Sequence, residues 1–152
     1  MDDPTLGLDA VIRRQFLEGM IELIMRQGRT ILFSSHILAD VERVADKIVV
    51  IEKGVIRADC SLEQFRAAVK KVKFVFSQLP PATANIEGML HWRRTEKELE
   101  MVLVGTDDDK IAEWAKSSGA EGYEVLKLNL EDQFIEYTAP VGKNKLFGWE
   151  TK

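Results

Sequence analysis

Residues 30–34, TILFS, constrain the fold more than any other segment of the chain. They follow a glycine, form a short run rich in apolar and β-branched side chains, and stand between two stretches of helical periodicity. Such a run suits a strand buried on both faces of a parallel sheet, so this end of the chain is expected to be α/β. Before it, Ile12, Phe16, Met20, Leu23 and Ile24 recur at helical spacing, with Asp9 placed as N-cap and Gly28 as the stop. After it, ILADVERVA predicts a short helix with Leu38, Val41 and Ala45 toward the core. Residues 47–52 and 55–59 read as a hairpin around Lys53-Gly54. Ser61 and Gln64 have the capping-box spacing for a helix reaching Val69.

The pattern changes near residue 70. KVKFVF is a fresh alternating strand, followed by the breaker-rich LPPATANIEG. Residues 89–94 and 99–104 are expected to pair around 95–98. Residues 107–118 are expected to form a helix with an acidic start and Ile111, Trp114 and Ala115 on one face. Residues 123–128 read as a strand and 130–138 as a last amphipathic helix. This order suggests a small α+β, ferredoxin-like sandwich over residues 71–139, after a first domain over 1–70 and before a flexible tail over 140–152.

Composition excludes several classes of function. The 152 residues are 45% hydrophobic and 30% charged, a balance typical of a globular chain. A net charge of −4, from 21 basic and 25 acidic residues, offers no electrostatic reason to bind nucleic acid. The single cysteine, Cys60, rules out an internal disulfide framework and fits a reducing compartment. No run approaches the roughly 20 apolar residues of a membrane span, so any membrane connection is expected to go through a partner.

The chemistry concentrates in residues 2–9, DDPTLGLD, and in His36 beyond the next apolar run. Adjacent carboxylates repel, so a cation, or a separate task for each acid, explains the pair better than folding stability does. The segment resembles the Walker B end and D-loop of ATP-binding cassette (ABC) ATPases, and Ser34-Ser35-His36 resembles their switch-histidine segment. The resemblance implies the C-terminal part of a P-loop NTPase domain. In it Asp2 would hold magnesium through water, and Asp3 would orient the attacking water. His36 would hydrogen-bond the γ-phosphate, and Leu6, Gly7, Leu8 and Asp9 would reach a second ATPase domain. LNLEDQFIEYT, residues 128–138, is similar to the closing segment of the ATPase subunits of ABC-2-type exporters. Cytoplasmic location against the inner face of the membrane, a permease partner, and ATP with Mg2+ in the intact parent are what this resemblance implies.

The chain also departs from that pattern. Asp3 stands where the family usually has glutamate, so slow turnover, or a compensating backbone movement, is expected of the intact protein. No G-x-x-x-x-G-K-[ST] loop, glutamine loop or signature helix is present, so the chain by itself is expected to bind neither ATP nor magnesium usefully and to be inactive. Only Met1 precedes Asp2 where the family has an apolar strand, so self-association, strand exchange or rearrangement of the first segment is expected. Two readings stay open: a part of an exporter ATPase, or a non-catalytic module that pairs with an intact one. In the second unit His91 stands alone, Trp92 and Trp114 fit packing, and the Asp107, Asp108, Asp109 triplet fits a helix start better than a calcium site.

Overall fold

The computed structural model describes residues 1–139, which mix helices with antiparallel sheets. The expected tail over 140–152 lies outside the described residues. The chain divides into two compact units, Met1–Leu62 and the residues from Glu63 onward.

In the first unit, helix α1 (Ala10–Gln27) starts where expected: Asp9 accepts hydrogen bonds from the Val11 and Ile12 amides at 2.9 and 3.0 Å. It stops at Gly28, whose φ of 60° suits a residue without Cβ. Its buried residues are Leu17 and Met20, whereas Ile12 and Leu23 are exposed. Helix α2 (Leu38–Val44) follows, and its buried residue is Asp40, not the expected apolar trio. Strands β1 (Lys47–Glu52) and β2 (Val55–Ser61) form an antiparallel hairpin. Lys53 and Gly54 both have positive φ, 51° and 78°, as a two-residue turn matching strand twist requires.

The run 30–34 is not the doubly buried strand its composition suggests. Only an isolated parallel bridge joins Ser34 to Asp2, and Leu32 is 84% exposed. A parallel strand is stabilised by ladders on both sides and cover on both faces. Among the described residues its backbone partners are residues 1–3: the Met1 amine donates to Leu32 O, Ser34 N–H to Met1 O, and Asp3 N–H to Ser34 O.

The second unit opens with α3 (Leu62–Ala68), all but its first residue lying within this unit. There follow β3 (Val69–Val75), β4 (Met89–Arg94), β5 (Glu98–Val104), α4 (Asp108–Ser118), β6 (Gly122–Leu126) and α5 (Leu130–Thr138). The four strands form one antiparallel sheet in the order β4-β5-β3-β6. Alternation decides its faces. Val72, Phe74, Leu99, Met101 and Leu103 are fully buried in a core with Ile111 and Ala115 of α4, and Trp92 and Trp114 pack against it. The intervening residues Lys71, Lys73, Glu98 and Glu100 lie on the other face and pair there: Lys71 Nζ with Glu100 at 3.5 Å, Lys73 Nζ with Glu98 at 2.9 Å.

Helix α5 closes the unit through a buried side chain. The Gln133 amide donates to the carbonyls of Arg66 and Val69, both at 2.9 Å, fastening the α3–β3 junction. Tyr137 meets Phe65 edge-on at 5.3 Å between centroids. The Asp107–Asp109 triplet starts α4 as expected, with Asp107 at the N-cap position.

Candidate functional site

The first three residues and the segment 34–36 meet through one parallel bridge, and that bridge brings the candidate side chains together. Asp3 adopts a φ of 38°, a left-handed conformation that aspartate tolerates better than most side chains. Its amide is held by the Ser34 carbonyl at 3.0 Å, and its own carbonyl accepts from Leu6 N–H at 3.0 Å. In this posture Asp3 Oδ1 lies 2.9 Å from His36 Nδ1 and accepts the His36 backbone N–H at 3.1 Å. Asp2 is held differently, its Oδ1 accepting the Ser34 hydroxyl. The structure thus joins Asp3 to His36 and gives Asp2 a separate partner.

The charge state follows from the contacts. Hydrogen bonds from the His36 side chain, and then from its backbone, hold the Asp3 carboxyl below its ordinary value, more than offsetting slight desolvation. An ionised carboxylate only accepts, so His36 Nδ1 carries a proton toward it. His36 Nε2 has no protein partner among the described residues, and the ring is well exposed.

The turn after Asp3 is anchored by residues that the sequence did not single out. Thr5 is 2% exposed and its hydroxyl donates to Asp40 Oδ2 at 2.7 Å; Asp40 is 5% exposed. Arg13 Nε lies 3.9 Å from the same oxygen, and its Nη2 donates to Leu8 O at 3.3 Å. The cluster ties residues 5–8 to α1 and α2, next to His36. The partners of Asp40 are 27 and 35 residues away in the chain, so no local sequence signal marks the cluster. Beyond the Asp40 contacts, Leu6 is exposed, Gly7 has a φ of 78°, and Asp9 is occupied as the cap of α1.

In the second unit His91 is not alone. Its Nε2 lies 3.1 Å from Glu136 O and 3.2 Å from Glu136 Oε2, and Glu136 Oε1 accepts from Lys71 Nζ at 2.7 Å. Burial works against the Lys71 charge, but the contacts with Glu136 and Glu100 outweigh it and raise the ammonium above its ordinary value. No trio of histidine, cysteine or acidic side chains arranged to hold a metal occurs among the described residues, and no described helix is long and apolar enough to cross a membrane.

What the first unit defines is an acid pair and an imidazole at the end of a parallel bridge, followed by a turn that caps a helix. Proteins similar in sequence along nearly the whole chain are ABC transporter ATP-binding proteins. One, the uncharacterized YdbJ of Bacillus subtilis, is 27% identical over 143 residues, 91% of this chain and 46% of its own. YtrB of the same organism is 27% identical over 138 residues, covering 89% and 46%. The uncharacterized all4389 of Nostoc sp. is 36% identical over 144 residues, covering 90% and 39%. The chain therefore spans less than half the length of these relatives. No protein-family model matches it.

Proposed function

We propose that the first unit is the part of an ABC-type ATPase domain that meets magnesium, water and the terminal phosphate, within the ATP-hydrolysing subunit of a membrane transporter. The observation that carries this reading is the Asp3–His36 contact at 2.9 Å, made by residues 33 positions apart. The coverage of the chain by relatives named as transporter ATP-binding proteins supports it.

The residues fit one end of a nucleotide site. Asp2 is exposed and, among the described residues, its carboxylate is met by the Ser34 hydroxyl, which suits a carboxylate that holds magnesium through its water shell. Bound magnesium would neutralise phosphate charge. Asp3, ionised, would accept a hydrogen bond from the attacking water on the oxygen not facing His36. Asp3 accepts the Nδ1–H hydrogen bond and so orients the ring, leaving Nε2 as the atom that would meet the terminal phosphate. No loop here grips the triphosphate, since no G-x-x-x-x-G-K-[ST] occurs. The chain by itself should show no micromolar affinity for MgATP in isothermal titration.

For the second unit we read the order β4-β5-β3-β6, antiparallel throughout, as a ferredoxin-like sheet whose first crossover is the linker 76–88 rather than a helix. An accessory domain of an ABC-2-type exporter ATPase, with its permease at the cytoplasmic face, fits this arrangement and the residues 128–138.

The decisive experiment fuses the chain to the part of YdbJ that the match leaves out. The chimera should hydrolyse MgATP, and Asp3→Asn or His36→Ala should each lower kcat by about a hundredfold or more. Asp3→Glu, longer by one methylene, should raise it. Hydrolysis indifferent to all three substitutions, or none at all in a folded chimera, would overturn the reading.

A further inference from the structure

Asp3 and His36 belong to two segments that meet through more than their own contact. That contact is open to solvent, its side chains 33% and 62% exposed, and a pair so exposed holds little by itself. A second contact between the same segments is buried. Thr5, just after Asp3, donates its hydroxyl at 2.7 Å to Oδ2 of Asp40, one helical turn after His36. The two bonds close one ring, with residues 3–5 on one side and 36–40 on the other.

Asp40 is tied into both sides of that ring. Its amide donates to Ile37 O at 3.0 Å, closing the first turn of α2 directly behind His36. Its carboxylate meets Thr5 and lies 3.9 Å from Arg13 Nε, while Arg13 Nη2 donates to Leu8 O and Leu8 N–H to Thr5 O. Both ends of the turn 5–8 are thus fastened at one carboxylate. The backbone at Asp3 needs such a fastening, because a φ of 38° is disfavoured for a side chain with Cβ and persists only where the surroundings hold it. Before Asp3, the bridge between Asp2 and Ser34 supplies one hold. After it, the bond from Leu6 N–H to Asp3 O lies within the same segment and cannot orient that segment against His36. The Thr5–Asp40 bond can, since it crosses to α2, involves a carboxylate and is sealed from competing water.

We propose that Asp40 is a positioning residue for the Asp3–His36 pair, fixing through Thr5 the angle at which the Asp3 carboxylate meets the imidazole. The consequence for hydrolysis rests on the role proposed above for that pair. The dependence of the contact on Asp40 does not, and it is measurable in the chain by itself.

A double-mutant cycle read at the His36 ring by NMR of the 152-residue chain tests it. Asp3→Asn should move the His36 ring resonances; in an Asp40→Leu background the same substitution should move them about threefold less or weaker still. Asp40→Asn, which keeps an oxygen for the Thr5 hydroxyl, should restore most of the response. A loss of stability alone would leave the response of the folded molecules unchanged. Thr5→Val cuts the same bond from its other end and should act like Asp40→Leu, so a folding defect peculiar to one variant does not decide the result. An undiminished response in either folded variant overturns the proposal. In the chimera with YdbJ, Asp40→Leu should lower kcat about tenfold and leave KM unchanged. A chimera slowed by Asp3→Asn but not by Asp40→Leu overturns the positioning role alone. A chimera indifferent to Asp3→Asn overturns the proposed function instead, and the ring measurement then decides for or against Asp40.

Discussion

Asp3 and His36 show how much one backbone angle can decide. With φ at 38°, Asp3 turns its carboxylate onto His36 while Asp2, its neighbour, goes to Ser34. Because the Asp3 carboxyl is held below its ordinary value of 3.8, its contribution is present above that value and fades as pH falls through the lowered one. The His36 ring resonances, simple to assign with one other histidine in the chain, should move in that acid window. Asp3→Asn should abolish the movement. Thr5→Val tests the anchor beneath: it leaves the buried Asp40 carboxylate short of its hydroxyl donor and should lower stability by about 1–3 kcal/mol, measured as a shift in urea midpoint. His36 and both acids were legible as candidates because charge repulsion and spacing set them apart. Thr5, Arg13 and Asp40 were not, because nothing local marks residues so distant in the chain as partners.

At the level of elements, local signals located boundaries well. Asp9 and Gly28 bracket α1, Lys53-Gly54 turns the hairpin, and α5 covers the 130–138 expected for it. Helix faces were read less well: Leu17 rather than Ile12 or Leu23 is buried on α1. Which stripe of a helix is covered depends on its neighbours, and Ile12 and Leu23 have little beside them here. Packing also explains Gly88, where a Cβ would sit 2.3 Å from Val104 O at a φ of 82°. Gly88→Ala should destabilise the second unit by more than about 2 kcal/mol, combining steric displacement of backbone with a disfavoured φ. The calorimetric transition of the unit should fall accordingly, while Gly119→Ala, with open space at its Cβ, should cost only the backbone term of about 1 kcal/mol.

Taken whole, the chain distributes its stability unevenly. Eleven of the sixteen exposed large apolar side chains among the described residues lie before residue 63, whereas the fully buried cluster built on Val72, Phe74, Leu99, Met101 and Leu103 lies after it. Native-state hydrogen exchange should therefore find the β3 and β5 amides protected to the level of global unfolding and the α1 amides exchanging far sooner. Equal protection in α1 and β5 would show that the first unit is better supported than its own burial accounts for. The first unit thus leaves more of its apolar side chains uncovered than the second.

The amino-acid sequence alone determined what depends on neighbours in the chain: caps, the tight turn, the alternation of the second sheet, and an acid pair whose repulsion demanded a reason. Tertiary structure alone decided whatever depends on distant partners. It left residues 30–34 with a single bridge instead of a ladder, since a strand exists only through the backbones beside it. It also buried Asp40 beneath Thr5 and gave His91 to Glu136, because the desolvation of a polar group is compensated only by whichever group the fold carries to it.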